Sequence, residues 1–472
     1  MKKILMGIAL LSVVGSFTSC KDFLDEGPEL KQSNELTLSK YEGLNNAGSA
    51  LYTMMQSYSW YGAQYIVQSE LRGGNAKNPK TLEGSGRYLQ DAQWNYTENN
   101  TSSVWAYAYY TISWANNIIN NLDGKETSEV TTQDLNNLRA EALFMRALCH
   151  FDLVITYAQP YTSQPKSLGV PVILVTENGH PKRNTVEEVY TQIVKDLTDA
   201  EGLISDNFTR AGVSDPAAMV SKSAIQALLS RVYLYMGEWQ KCADYATKVI
   251  NSGKYKLLDA DDYLAMWRAS VTPANGEVIF EVFGSSKNEY WDGSGWEHLP
   301  YLTGVGNEGS QDICATQDLV DLYEATDVRA QFFTLVNTDN MITKYYGKEG
   351  GVPRAVNIPI LRLAEMYLNR AEAIFNGATI SGATALGDLQ AIANKRGATV
   401  PSQYDVFVER RKELMFEGHI VYDYARCNKD LVRTDFDGTV NKDIKAGDYK
   451  WAMPIPKRET DANPNVEQNP GY

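Results

Sequence analysis

Apolar residues recur along much of this chain at alternating spacings of three and four, the signature of helices that bury one face. In TTQDLNNLRAEALFMRALCHFDL, the residues Leu135, Leu138, Ala142, Met145 and Cys149 fall on a single stripe. NTVEEVYTQIVKDLTDAEGLI opens with Thr185 and Glu188 at capping-box spacing and continues with Val186, Val189, Ile193 and Leu197 on one face. SKSAIQALLSRVYLYMGEWQKCADYATKVINSG predicts a helical hairpin. Ile225, Leu228, Leu229, Val232 and Met236 lead to a break at Gly237, then follow Trp239, Ala243, Ala246 and Ile250, with Gly253 as the cap. A further pair starts at LRLAEMYLNRAEAIFNG, where Leu361, Ala364, Leu368, Ala371 and Phe375 repeat the spacing. Helix pairs of about 34 to 40 residues with small residues at their contacts predict a tetratricopeptide-like solenoid, an architecture built for docking. Trp105, Tyr109 and Ile112 also keep helical spacing and belong to its core.

Two long aromatic stretches rich in Gly and Asn interrupt the helices. The first runs from SYSWYGAQY through LRGGNAKNPKTLEGSGRYLQDAQWNYTENN, and the second is GSSKNEYWDGSGWEHLPYLTGVGNEGSQ. Loops of this length are uncommon in compact domains and tend to carry function. The last segment, YKWAMPIPKRETDANPNVEQNPGY, holds Pro454, Pro456, Pro464 and Pro470, so it is expected to lie extended over the body, neither helix nor central strand.

The N-terminus adds an address. Lys2 and Lys3 precede an apolar run from Ile4 to Phe17 that ends in Thr18 and Ser19, the layout of a secretory signal peptide. The run is shorter than the roughly 20 apolar residues a membrane span needs, and no later segment resembles a stop-transfer helix. Cys20 follows the small-residue cleavage site directly, as in a bacterial lipoprotein box, where the sulfur is diacylated. Each buried CH₂ of an acyl chain contributes about 0.8 kcal/mol, so two or three chains on one residue tether a protein durably.

Composition narrows the class. With 43% hydrophobic and 22% charged residues in 472, this is an ordinary folded chain, and a net charge of −14 argues against nucleic acid or an anionic membrane surface as partner. Tyr (29) and Trp (9) outnumber Phe (13), a bias toward rings with a polar handle. Cys149, Cys242, Cys314 and Cys427 have no C-x-x-C spacing and read as small core residues. His150, His180, His298 and His419 show no zinc-ligand spacing. The best calcium candidate, DFDGTVNKD with Asp435, Asp437 and Asp443, lacks the full ligand set of an EF-hand and reads as a solvated acidic turn. No cofactor or metal is expected.

Six stretches together carry a family resemblance: CKDFLDEGP, RAEALFMRALCHFDL, LGVPVIL, SAIQALLSRVYLYMGEWQKCADYATKVI, ERRKELMFEGHIVYDYAR and PIPKRETDANPNVEQNPGY. They are similar, in order and from residue 20 to the end, to the SusD/RagB family of Bacteroidetes outer-membrane nutrient-binding lipoproteins. The resemblance implies a mainly α fold, a tetratricopeptide-like helical-hairpin scaffold with a loop-rich, partly β ligand-binding subdomain. It implies a signal peptide at 1–19, a lipidated tether at 20–40, a helical region at 41–255 with an aromatic insert at 58–100, the ligand-binding subdomain at 256–355, and C-terminal helices and tail at 356–472. It also implies a SusC-type TonB-dependent transporter as partner. Asp22, Asp25 and Glu26 are similar to the signal that sends such lipoproteins to the cell surface, with Lys21 and Phe23 departing from it.

Glu409, Glu413 and Glu417 stand at i, i+4 spacing and raise a glycosidase reading. Arg410, Arg411 and Lys412 lie among them, and a nearby cation lowers a carboxyl pKa, the reverse of what a general acid needs. Glycosidase carboxylates also face each other across a cleft, about 5 to 9.5 Å apart, rather than along one helix. A structural Arg/Glu network is the expected role, and the protein is expected to bind without catalysis. Sugars present C–H faces ringed by hydroxyls, so they need exposed rings and nearby amides or charged groups. The second aromatic stretch offers Tyr290, Trp291, Trp296 and Tyr301 with Asn288, Asp292 and Glu297; the first offers Trp60, Tyr61, Arg72, Asn75, Trp94 and Tyr96. Three readings stay open: an oligosaccharide-binding lipoprotein, a peptide-binding one of the RagB type, and a tetratricopeptide adaptor without a nutrient ligand.

Overall fold

The computed structural model describes residues 38–80, 86–213, 215–269, 272, 275–284, 298–303, 310–345, 356–400 and 402–472. Cys20 and the acidic residues after it lie outside them. The helices in chain order are α1 (Tyr41–Met55), α2 (Gln64–Arg72), α3 (Val104–Asn121), α4 (Thr132–Tyr157), α5 (Val186–Leu203), α6 (Lys222–Met236), α7 (Trp239–Ile250), α8 (Ala260–Met266), α9 (Leu363–Phe375), α10 (Ala385–Arg396), α11 (Val406–Glu413) and α12 (Ile420–Arg426). The fold is mainly α. From α3 to α10 each helix packs on its neighbours in the order α3, α4, α5, α6, α7, α9, α10, which is the stacking of a helical-repeat scaffold.

Local sequence explains the helix ends. Thr185 and Glu188 form the expected capping box, and Thr131 with Asp134 forms a second one ahead of α4. Gly237 sits at φ 72°, a left-handed conformation that lets the chain reverse between α6 and α7. Small residues bring this hairpin close: Ser230 Oγ donates to the Cys242 carbonyl at 3.1 Å, and Ala243 and Ala246 are fully buried. Helix α7 ends at Ile250 on Asn251, with Gly253 turning the chain two residues later.

The strands are short. β1 (Ala76–Lys77), β3 (Cys314–Ala315), β5 (Asp339–Ile342) and β4 (Phe333–Val336) form an antiparallel sheet in that order, and β2 (Val278–Val282) pairs antiparallel with β6 (Ile358–Arg362). The main core runs from Leu44 on α1 to Val466 in the tail and contains Trp105 and Ile112 as expected, with Tyr109 packed against it, and a smaller second cluster joins α9, α10 and α11 through Leu368, Leu389, Ile392 and Val406. Cys149, Cys242 and Cys314 are buried free thiols and Cys427 is partly buried.

The tail departs from its expected shape. It does cover the end of α4, where Asn469 Nδ2 donates to the carbonyls of Tyr157 and Met453. Within it, however, Lys457–Ala462 forms a short helix that starts on Pro456. A proline at a helix start loses no hydrogen bond, so Pro456 begins the turn rather than preventing it.

Candidate functional site

Along the chain the second aromatic segment lies between β2 and the short helix His298–Thr303. Trp291, Trp296, Tyr290, Asn288 and Asp292 lie outside the described residues; Tyr301 belongs to that helix. Both ends are fixed to the turn that follows α1. Gln56 Nε2 donates to the Phe283 carbonyl at 2.6 Å, and the Leu299 amide donates to the Gly62 carbonyl at 3.1 Å. Only glycine fits at 62, because a Cβ there would stand 2.2 Å from the Gln56 carbonyl oxygen and 2.6 Å from that of Ser57. The Gly284 amide is held by Asn357 Oδ1 at 3.1 Å, and the Asp312 amide by the Leu302 carbonyl at 3.0 Å. The described residues on either side of 285–297 are therefore tied to the turn after α1 and to Asn357 beside β6.

Beside these contacts lies a polar rim that the sequence reading did not single out. The hydroxyls of Tyr58 and Tyr88 hydrogen-bond each other, Arg87 pairs with Asp312 at 3.5 Å, and Asn78 Nδ2 donates to the carbonyls of Arg87 and Asp312 at 3.0 and 3.2 Å. The Arg87 side chain is 44% exposed. The available signal was the Gly-Ser-Gly run at 84–86 followed by Arg87 and Tyr88, a composition that offers a cation and a ring next to a glycine-rich stretch.

The first aromatic segment is corrected outright. Residues 58–100 contain α2, β1 and the helical turn Leu89–Ala92, and the six side chains proposed there for a ligand are all buried. Trp60 Nε1 and the Tyr61 hydroxyl both donate to Asp152 Oδ2, at 2.7 and 2.9 Å. Trp94 Nε1 donates to the Arg72 carbonyl at 3.0 Å, and the Tyr96 hydroxyl to Asp91 Oδ1 at 3.1 Å. The Arg72 guanidinium lies 4.5 Å from the Trp94 ring centre and 5.5 Å from that of Tyr96, and donates to the carbonyls of Lys450 and Trp451. Asn75 bridges Glu70 and Arg411, each at 2.7 Å. The polar handle of each of these four rings is satisfied inside the protein, so the Tyr and Trp bias serves the core here and not an open platform. Burial without a cation in contact pushes Asp152 and Glu70 up to about 7 and Asp91 up to about 6.

Glu409 and Glu413 lie on α11, but the helix ends at Glu413 and Glu417 falls beyond it, after Phe416 at φ 59°, so the three do not share one helix as expected; all three behave as structural groups. Glu409 accepts from Arg329, Glu413 from Arg329, Arg362 and Arg396, and Glu417 from Arg362 and Lys344. All are buried. Burial would raise the Glu413 carboxyl, but Arg396, Arg362 and Arg329 together hold it well below the usual range, which unsuits it as a general acid. The 435–443 turn is solvated as expected, with Asp437 and Asp443 exposed, and it is also tied down by ion pairs and hydrogen bonds. Asp435 pairs with Lys77 at 2.7 Å and accepts from the Gln317 amide at 2.8 Å, Asp437 pairs with Lys80 at 2.8 Å, and Asp443 accepts from the Arg433 amide at 3.3 Å. Among the described residues no group of three potential ligands is placed to hold a metal ion, and no helix is long and apolar enough to cross a membrane.

Comparison with known proteins places this helical-repeat scaffold. Residues 22–234 match the SusD-like family described as starch-binding and associating with the outer membrane, and residues 333–472 match the SusD family. SusD-like protein P2 of Formosa agariphila is 26% identical over 529 residues, covering 100% of this chain and 99% of that protein. The starch-binding protein SusD of Bacteroides thetaiotaomicron is 24% identical, with 81% of each chain covered. Among solved structures, a SusD superfamily protein from Bacteroides thetaiotaomicron superposes with a TM-score of 0.81 at 29% identity, over 91% of this chain and 100% of that one. The chain belongs to the SusD/RagB family of Bacteroidetes.

Proposed function

We propose that this protein is a surface-held lipoprotein that binds an oligosaccharide and passes it, without cleaving it, to a SusC-type TonB-dependent transporter. The observation that carries this reading is family membership over residues 22–234 and 333–472, the first of these families being described as starch-binding and associating with the outer membrane. Two features of the chain support it. The long 285–297 segment, with Trp291 and Trp296 among Gly293, Ser294 and Gly295, is too glycine-rich for a regular element that would bury both rings. The carboxylates of α11, which alone raised a catalytic reading, are neutralised by buried guanidiniums.

Stacking on one ring contributes on the order of 1 kcal/mol beyond area burial, so Trp291→Ala or Trp296→Ala should each weaken glycan binding several-fold and the double substitution should abolish it. Calorimetry against a panel of polysaccharides and their oligosaccharides checks this. Wild-type affinity in both single variants, with an unchanged circular dichroism spectrum, would remove the platform from this segment, and release of shorter sugars from a bound glycan would refute the non-catalytic reading. Anchoring is tested separately. Cys20→Ala should move the protein from the membrane fraction to the soluble fraction, and protease added to intact cells should degrade the wild type. Membrane retention of the variant, or protection of the wild type, contradicts the proposed tether or its surface display.

A further inference from the structure

Residues 43–69 and 99–122 contain no Asp, Glu, Lys or Arg, in a chain where 22% of residues are charged. The fold lays these two stretches together. Helix α1 packs along α3, Thr111 reaches the Met54 sulfur, and Ser103, just ahead of α3, hydrogen-bonds Gln64 at the start of α2. The inner face of α3, with Trp105, Ala108, Ile112 and Ala115, is buried. Its outer face carries Tyr107, Tyr110, Trp114, Asn117 and Asn121, spaced so that all five fall on one stripe, and none of them is buried. Tyr110 is 50% exposed, and its ring meets Trp114 edge-on with centres 6.4 Å apart. On α1, Asn46 and Thr53 are exposed as well.

We infer that this uncharged face of α3, with the exposed amide and hydroxyl of α1, is a second binding surface for a neutral oligosaccharide. It deepens the reading given above and rests on it. Rings answer the C–H faces of a sugar chain, and Asn and Thr side chains answer its hydroxyls. A face without ions spares the desolvation that a neutral ligand could not repay. A protein interface would instead draw on Arg along with its aromatic residues, and neither stretch contains one. From Tyr107 to Asn121 the stripe is about 21 Å long at 1.5 Å per residue, room for several sugar units. Its Ser103 end meets α2 just beyond Gly62, whose carbonyl holds the helix that follows 285–297. A chain of several units would fill the stripe, whereas a di- or trisaccharide would cover only a small part of it.

The test is calorimetry with malto-, laminari- and xylo-oligosaccharides, each as a short member (di- and trisaccharide) and a long one (hepta- and octasaccharide). The double variant Tyr110→Ala, Trp114→Ala should bind the long members about tenfold more weakly and the short ones as the wild type does. Because Trp114 is partly buried, Asn117→Asp serves as a second variant that leaves packing intact and places a charge in the stripe; it should lose several-fold on the long members alone. Wild-type affinity of both variants for long members that the wild type binds would overturn the inference while leaving the proposed function standing. So would unchanged sugar binding with loss of a co-purifying β-barrel from solubilised outer membrane, which would make the face a protein interface. If the wild type binds no member of any length, the proposed function falls first and this inference with it.

Discussion

Glu413→Leu should lower the folding free energy by about 3–5 kcal/mol, the cost of removing one partner from a buried ion cluster. The Glu413 carboxylate is fully buried and lies 2.9 Å from Arg329, 2.7 Å from Arg362 and 3.0 Å from Arg396. Around it Arg329, Arg362, Arg396, Lys344 and Lys412 face Asp327, Glu277, Glu409, Glu413 and Glu417 in contacting pairs, so the buried charges balance. Deleting one carboxylate leaves an uncompensated cation away from water. It also unties α11, β6 and α10 from one another, since the three arginines come from three different parts of the chain. Because the folded-state pKa is lowered, the native state binds fewer protons than the unfolded chain in acid. This stabilisation is complete above the ordinary carboxyl pKa near 4.3 and is lost only as the pH falls toward the lowered value. Urea unfolding followed by far-UV circular dichroism at neutral pH is the check. A wild-type midpoint for Glu413→Leu, with an unchanged slope, would show that the cluster contributes no net stability.

Asp152→Asn should remove a pH-dependent loss of stability that centres on α4. The side chain is buried, Oδ2 accepts from Trp60 and Tyr61, and Oδ1 has no hydrogen-bond partner among the described residues. Burial pushes the carboxyl up to about 7. Between the unfolded value near 3.9 and that raised value the folded chain holds a proton that the unfolded chain has released, so this group's contribution falls as pH rises through the window and stays low above it. Asparagine is neutral throughout. The stability of the variant relative to the wild type should therefore rise by about 2–3 kcal/mol from pH 5 to pH 8, at about 1.4 kcal/mol per pH unit over the part of the window crossed. Comparing urea midpoints of both proteins at the two pH values cancels every other titrating group. An equal difference at pH 5 and pH 8 would mean that Asp152 is ionised in the native protein throughout. Glycan affinity should be unaffected, since Trp60 and Tyr61 face this carboxylate inside the core.

The sequence by itself determined whatever depends on neighbours one or two turns away. The stripes of α4, α5, α6 and α9, the Thr185 capping box and the Gly237 reversal follow from periods of three and four and from local hydrogen bonds, so they were legible without a partner. The structural role of Glu409, Glu413 and Glu417 was legible in outline, but the cations that pair with them, Arg329, Arg362, Arg396 and Lys344, come from distant parts of the chain, while the interleaved Arg410 turns to Asp423, Arg411 to Asn75 and Lys412 to Asp327. Of the candidate site, the sequence located the Gly-rich ring-bearing segment between β2 and the His298–Thr303 helix, and the structure adds the hydrogen bonds that tie the described residues on either side of it.

Only the tertiary structure decided which rings are walls and which are surface. Trp60 and Tyr61 are buried because α4 brings Asp152 to them from 92 and 91 positions away. Arg72 is buried because the tail supplies the carbonyls of Lys450 and Trp451, 378 and 379 positions on. Conversely, Tyr110 and Trp114 share a helix with core residues and are left at the surface because the helices packed on α3 cover its other face. A ring with a polar handle has the same composition signal in either setting. Its burial depends on whether a distant segment delivers a hydrogen-bond partner for that handle, and this is fixed by how the chain folds back on itself and not by the residues beside the ring.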